Sequence, residues 1–438
     1  MKLIRTLFCT SFLGVALMGF SQSGQDDPEQ TYKKRVLETP EIDFLSSYYT
    51  QNGDNAAVSG GVGTEELTDL VGTVVLSIPL NEDDVLTIDA SISAYTSASS
   101  SNVDPFDDRN QADPFVASSG ASQSDTWVNF TGNYSHSSDD RNNIVSVKLS
   151  VSSEYDYFSV GFGGSYAKLF NEKNTELSIN ANVFLDKWNA IYPIELRPFG
   201  NNGIGFFRPD EITGNVNYNP DFNEFDDENR RSYALGLGFS QILHKNVQGS
   251  LSLDFVNQTG LLSTPFQRVY FNDVADSFIE NFQLADDIEQ LPDSRFKIAL
   301  GGRLNWFLNE TIALRTYYRY YFDDWGIRSH TASLEVPIKL SDQFTVYPNY
   351  RFYNQSAADY FAPFETHLST DVFYTSDFDL SKYTANQFGL GLSYTDIFTK
   401  FHISKFGLKS IDLKLYRYDR DTTFGSFITT LGIKFVMD

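Results

Sequence analysis

One cysteine, three methionines and five histidines in 438 residues leave little for thiol or imidazole chemistry. The cysteine, Cys9, stands in the apolar N-terminal run MKLIRTLFCTSFLGVALMGFSQSG, where Lys2 and Arg5 precede Leu7 to Phe20, and Gly19 and Ser21 sit before a cut at Gln22. That layout predicts a secretory signal peptide over residues 1–21. Bulky Phe8 beside Cys9 does not suit a lipoprotein cleavage site, so Cys9 leaves with the signal and the mature chain carries no cysteine. Disulfides and thiolate metal ligands are thereby excluded. His136, His244, His330, His367 and His402 fall on separate segments and form no helix-borne metal motif. Gly60, Gly61 and Gly63 lack the strand-to-helix context of a dinucleotide fingerprint. No enzyme is expected, although spacing leaves open a Ser or Asp meeting a His from a distant strand.

Long apolar runs are absent too. Beyond the N-terminus nothing approaches the roughly 20 residues that a membrane-spanning helix needs. Positive charge is scarce, with 33 Lys and Arg against 57 Asp and Glu. Removing Lys2 and Arg5 takes the formal charge from −24 to −26. Affinity for nucleic acid rests on basic patches, so no nucleic-acid partner is expected.

What is present is alternation. From Arg295 to Phe322, Phe296, Ile298, Leu300, Gly302, Leu304 and Trp306 alternate with Arg295, Lys297, Ala299, Gly301, Arg303 and Asn305. After a turn at Asn309 and Glu310 the pattern resumes, with Leu314, Thr316, Tyr318 and Tyr320 against Arg315, Tyr317, Arg319 and Tyr321. A period of two is that of a β-strand. Sixteen such strands are read, at about 41–50, 67–79, 85–97, 125–136, 143–154, 157–169, 175–187, 231–243, 247–258, 295–308, 311–322, 327–340, 343–355, 384–397, 407–419 and 425–437. Every second connection is a tight turn, whereas 51–66, 98–124, 188–230, 259–294 and 356–383 are long. Short turns on one side and long loops on the other mark an outer-membrane barrel, and structureless loops of that length are uncommon in soluble domains. The expected fold is therefore all-β, a transmembrane antiparallel barrel of about 16 strands over residues 41–438. A periplasmic leader over 22–40 precedes it and ends in the basic cluster Lys33, Lys34 and Arg35, which reads first as a solvated or loosely docked tail and, as the sharper alternative, as a docking site for a periplasmic partner.

Aromatic residues gather at strand ends. Tyr48, Tyr95, Tyr157, Trp188, Tyr318, Tyr320, Trp325, Phe352 and Tyr418 are expected at the outer rim, with Phe170, Trp306, Phe398 and Phe435 at the periplasmic one. The last strand turns Phe427, Thr429, Leu431, Ile433 and Phe435 to lipid, an ending of the kind that the barrel-assembly machinery reads. Asp438 stands where a terminal aromatic is usual.

The segments YKKRVLETPEIDFLSSYYTQNGDNAAVSGGVGTEELTD (32–69), LSIPLNEDDVLTIDASISAYTSASSSN (76–102) and FGLKSIDLKLYRYDR (406–420) resemble an uncharacterised Bacteroidota family of outer-membrane barrels known only as a domain of unknown function. The resemblance implies an outer-membrane location. It brings no substrate and no catalytic residues, and it implies genomic proximity to flavin-transferring and thioredoxin-like secreted proteins.

The pleat puts Lys297, Arg303, Arg315, Arg319, Arg351, Lys414 and Lys434 on the inward face of the C-terminal half, with Glu335 and Asp412 among them. Asp89, Glu176 and Asp254 face inward in the N-terminal half. Such charges either orient polar solutes and select ions, or pair with one another and plug the lumen. Arg315 and Arg319 stand about 13 Å apart along the strand. The long loops are acidic, with Asp104, Asp107, Asp108 and Asp113 in one, Asp221, Glu224, Asp226, Asp227 and Glu228 in the next, and Asp273, Asp276, Glu280, Asp286, Asp287, Glu289 and Asp293 in the third. Clustered carboxylates suit Ca²⁺ or Mg²⁺, which would staple the loops to each other or to anionic lipopolysaccharide. None has the EF-hand spacing, and acidic loops more often keep a surface solvated. The leading expectation is passage or binding of small polar solutes or ions. The alternatives are a non-conducting barrel scaffolding a surface or redox-linked complex and, last, an outer-membrane hydrolase.

Overall fold

A computed structural model of the chain describes residues 34–97, 124–200, 208–225 and 229–437. The expected signal peptide, most of the leader and the acidic residues Asp104, Asp107, Asp108, Asp113, Asp226, Asp227 and Glu228 lie outside the described residues. From Val36 onward the chain is one compact unit.

Sixteen strands form its wall: β1 (Glu41–Asn52), β2 (Leu67–Pro79), β3 (Asp84–Ser97), β4 (Ser124–Ser137), β5 (Asn143–Ser153), β6 (Tyr157–Phe170), β7 (Thr175–Trp188), β8 (Asn229–His244), β9 (Val247–Gly260), β10 (Ser294–Phe307), β11 (Ala313–Asp323), β12 (Arg328–Glu335), β13 (Phe344–Gln355), β14 (Tyr383–Thr395), β15 (Phe406–Arg420) and β16 (Gly425–Met437). Each pairs antiparallel with the next. The ladder closes where β1 meets β16, from Glu41 opposite Val436 to Asn52 opposite Gly425. Closure leaves no sheet edge, which the bilayer demands because an unpaired backbone amide has no water to bond there. β12 is interrupted at Pro337, which has no N–H to give the ladder, and resumes as Ile338–Lys339. The chain is thus an all-β, sixteen-stranded antiparallel barrel of the outer-membrane type, within a few residues of the strands read from alternation.

The register fixes which side chains meet lipid. Leu251 opposite Gly302, Leu253 opposite Leu300 and Phe255 opposite Ile298 share the outer face. Ser250 opposite Arg303 and Ser252 opposite Gly301 share the inner one. At the β10–β11 turn the Asn309 side-chain oxygen accepts the amides of Thr311 and Ile312 at 2.9 Å, so a single polar residue reverses the chain.

Register also corrects the aromatic belts. Tyr48, Tyr318, Tyr320 and Phe352 point outward as expected. Tyr95 pairs with Asp125, Tyr157 with Trp188 and Tyr418 with Gln387, all on the inward face. Trp325 is buried, its indole N–H donated to the Ser294 carbonyl at 2.9 Å. Nearness to a strand end does not decide the face; the parity of the position does.

The described long loops are not solvated strings. Residues 53–66, 189–200, 208–225, 261–293 and 356–382 build one folded cap with its own small ladders. Ser277–Ile279 pairs with Phe282–Gln283 and with Ile212–Gly214, and Arg268–Val269 pairs with Asp287–Ile288. Its apolar core consists of Leu196, Ile212, Tyr218, Phe222, Tyr270, Ile279, Leu284, Ala285 and Ile288.

Candidate functional site

Two constructions bear on what enters the barrel: the cap and the inner wall beneath it. The loop 53–66 joins β1 to β2, and the loop 261–293 joins β9 to β10, eight strands further round a sixteen-strand wall and therefore opposite. A barrel of this strand number is roughly 30 Å across. Yet the Arg268 guanidinium, from the second loop, donates to the Val58 carbonyl of the first at 2.9 Å. Gly60 lies so close to the Tyr270 ring that an added Cβ would stand 2.6 Å from it, and its φ of +78° already favours glycine. Loops from opposite sides of the wall meet, so the cap spans the mouth.

Arg268 is the hub of this span. Its guanidinium is 1% exposed and binds both oxygens of Glu195 in the 189–228 loop, at 2.6 and 3.2 Å. One side chain thus joins three loops by charge-assisted bonds in a site closed to water. Nearby, carboxyl groups are buried with hydroxyl partners. Tyr374 donates to Asp287 at 2.5 Å, and Glu289 accepts the Thr375 hydroxyl at 2.5 Å and the Thr264 amide at 2.7 Å. Burial pushes the Glu289 carboxyl up to about 8 and that of Asp287 up to about 7. It also raises Asp286 to about 6, partly offset by the Phe271 amide, and raises Asp377, with Asp379 adding repulsion. The acidity of the third loop therefore does not simply solvate a surface, because Asp287 and Glu289 lie in the interior of the cap. Asp273 remains outside, accepting the Ser369 amide and hydroxyl at 2.8 Å. Among the described residues, no set of three carboxylate or imidazole groups is arranged to hold a metal ion.

Below the cap, register places Lys297, Arg303, Arg315, Arg319, Arg351 and Lys414 all on the inward face, on β10, β11, β13 and β15. They do not form a single contact cluster. Arg315 pairs with Glu335 at 2.9 Å, and its guanidinium lies 5.9 Å from the Tyr347 ring, as does the Lys414 ammonium. Arg303 lies 5.0 Å from the Tyr317 ring. Glycine makes room for these rings. Tyr317 rests over Gly301 at 3.5 Å from where a Cβ would stand, and at Gly389 a Cβ would strike Tyr416 at 2.5 Å. Among the described residues, Lys297, Arg303, Arg319, Arg351 and Lys414 have no carboxylate within ion-pair distance.

Pairing is concentrated at the two ends. Towards the mouth, Arg230 meets Asp186 at 2.9 Å, Arg295 meets Asp323 at 2.6 Å and Arg420 meets Asp379 at 2.6 Å. At the turn end Lys434 meets Glu41 at 2.6 Å and Asp43 at 3.5 Å. Alternation within β5 and β8 marks Lys148 and Arg230 as inward, but both stand outside the patch read from the C-terminal half.

The histidines are dispersed. His136 bonds Asp84 at 2.7 Å, His330 bonds Tyr318 at 2.7 Å on the outer face, and His367 is buried in the cap against the Thr375 carbonyl at 2.9 Å.

Strand number, closure, apolar outer face and charged lumen define an outer-membrane type of β-barrel. The chain belongs to the DUF3570 family, proteins of unknown function, whose model matches residues 9–416. No curated protein sequence matches it. Among solved structures it is similar to a bacterial polysaccharide outer membrane secretin, at 10% identity over 91% of this chain and 99% of that one, with a TM-score of 0.45. It is also similar to the outer membrane protein opdK from Pseudomonas aeruginosa, at 7% identity over 91% and 99%, with a TM-score of 0.38. A BenF-like porin from Pseudomonas fluorescens Pf-5 matches at 7% identity over 91% and 98%, with a TM-score of 0.41.

Proposed function

We propose that this protein is an outer-membrane channel of restricted conductance that passes or binds small polar solutes and prefers anions. The observation that carries the reading is the run of lumen cations on β10 to β15, of which Arg303, Arg319, Arg351 and Lys414 lack carboxylate partners among the described residues. In a narrow aqueous path such charges raise the local concentration of anions and exclude cations. The reading assigns no catalytic step and no cofactor. Outer-membrane lipid and lipopolysaccharide surround the barrel, the barrel-assembly machinery inserts it, and the 22–40 leader is available to a periplasmic partner. The sequence resemblance supports a Bacteroidota source for the chain.

The test is single-channel conductance and reversal potential of purified protein in planar bilayers under a salt gradient. Replacing both Arg315 and Arg319 by alanine is expected to lower the anion-to-cation preference severalfold. An unchanged conductance and preference in the double variant sinks the proposal. A second reading is favoured by the cap across the mouth: a non-conducting barrel that scaffolds a surface or redox-linked complex. A current-free wild-type barrel that stays current-free when the cap is loosened supports this one.

A further inference from the structure

The short-turn end of the barrel carries one connection unlike its neighbours. The turns at 80–83, 138–142, 171–174, 245–246, 308–312 and 340–343 are two to five residues long, and all but 245–246 contain acidic residues. The β14–β15 connection runs from Asp396 to Lys405 and presents Ile397, Phe398, Phe401 and Ile403 to the outside, at 46%, 73%, 57% and 57% exposure. Lys400, Lys405 and Lys409 are exposed beside them.

This turn is built, not loose. The buried Asp396 carboxylate accepts the amides of Phe398, Lys400 and Phe401 at 3.3, 2.8 and 3.3 Å, consuming the one acid of the segment internally. His402–Ile403 then pairs with Phe406–Gly407 of β15, and the Leu408 amide donates to the Phe401 carbonyl at 2.7 Å. The Lys400 ammonium lies 5.6 Å from the Phe398 ring. No carboxylate pairs with Lys400, Lys405 or Lys409 among the described residues. The apolar surface continues that of the barrel's lipid face: Tyr394 and Phe344 are in ring contact at 5.2 Å, and exposed Leu340 occupies the adjacent turn.

Apolar rings interleaved with lysines, next to a lipid-facing wall, match a headgroup layer that is apolar on its inner side and anionic on its outer side. In a chain of net charge −24, a local excess of three exposed lysines with no exposed acid is selective for such a surface. We infer that residues 396–409 form a membrane foot that seats Phe398 and Phe401 in the headgroup region of an anionic phospholipid leaflet on the short-turn side. The foot restrains the tilt of the barrel and the height of its turn end relative to that leaflet. This assignment concerns the outer rim and does not depend on whether the lumen conducts.

The test uses the full chain with Cys9→Ala, a nitroxide at Phe398→Cys and, separately, a control nitroxide at Lys245→Cys in the β8–β9 turn. Each is reconstituted in vesicles of equal parts phosphatidylethanolamine and phosphatidylglycerol, and in phosphatidylcholine alone, with folding checked by heat-modifiable mobility. In the anionic vesicles the label at position 398 is expected to be accessible to oxygen and about tenfold less accessible to a water-soluble nickel chelate than the control. The combined Lys400→Glu, Lys405→Glu and Lys409→Glu variant, or phosphatidylcholine with the lysines intact, is expected to return the label towards water. Nickel accessibility equal to the control in anionic vesicles overturns the assignment. Shielding that is the same in both vesicles overturns the anionic requirement, and shielding that grows with the protein-to-lipid ratio replaces lipid by a second copy of the chain.

Discussion

Glu289 is 2% exposed, held by Thr375 and Thr264, with its carboxyl pushed up to about 8 by burial. The consequence for stability has a definite sign. At acidic pH, below the ordinary carboxyl range, the group is protonated whether the cap is folded or not, and it contributes no pH dependence. Between that range and about pH 8 only the folded cap retains the proton, so the stability of the cap falls as pH rises through this window. Asp287 acts in the same direction up to about pH 7. Replacing Glu289 by glutamine keeps a neutral group of the same shape. The variant cap is expected to lose the Glu289 share of this pH dependence, leaving that of Asp287, and to be more resistant than wild type at pH 8. Limited proteolysis of residues 261–293 between pH 5 and 9 reads it, and identical profiles for the two proteins would count against the assignment. The donors on Tyr374 and Thr375 have no counterpart in local sequence, because they stand 87 and 86 residues from the acids they serve. A run of acids therefore read as a solvated loop.

Among the elements, strands and cap differ in how far the sequence displays them. A strand between lipid and a wet lumen must alternate over its whole length, so β5 shows Val145, Val147, Leu149 and Val151 against Ser146, Lys148, Ser150 and Ser152 without reference to any neighbour. The parity that assigns strands also assigns Arg303, Arg315, Arg319, Arg351 and Lys414 inward. The cap has no period. Its core residues Leu196, Ile212, Tyr218, Phe222 and Ile279 come singly, from two loops. One signal was there to find: Tyr192, Phe199, Tyr218, Phe222 and Phe225 are too many aromatics for a loop whose only task is solvation. Arg268 ties these loops together, and truncating one member of a buried pair costs on the order of 3–5 kcal/mol because the partner charge is left stranded. Arg268→Met is accordingly expected to make 261–293 and 189–200 sensitive to protease while the barrel keeps its heat-modifiable mobility. Equal resistance of variant and wild-type loops in mass-spectrometric mapping of the fragments would show that Arg268 is not the hub.

For the whole molecule, closure of β1 on β16 and the cap across the mouth combine into a barrel whose wall carries inward cations and whose mouth is bridged. The ends of the wall are charge-compensated, by Arg230 with Asp186 and Arg295 with Asp323 at one end and Lys434 with Glu41 at the other. The cations lacking carboxylate partners lie between. On the proposed function, conductance is set by the cap and ion preference by β10 to β15, two quantities that vary independently. The most direct measurement is therefore the current and reversal potential of wild type and Arg268→Met side by side in planar bilayers under a salt gradient. Small steps are expected for wild type, severalfold larger steps for the variant, and an anion-directed reversal potential in both. Large steps in wild type that Arg268→Met leaves unchanged, or a cation-directed reversal potential in the opened barrel, would contradict the proposed function.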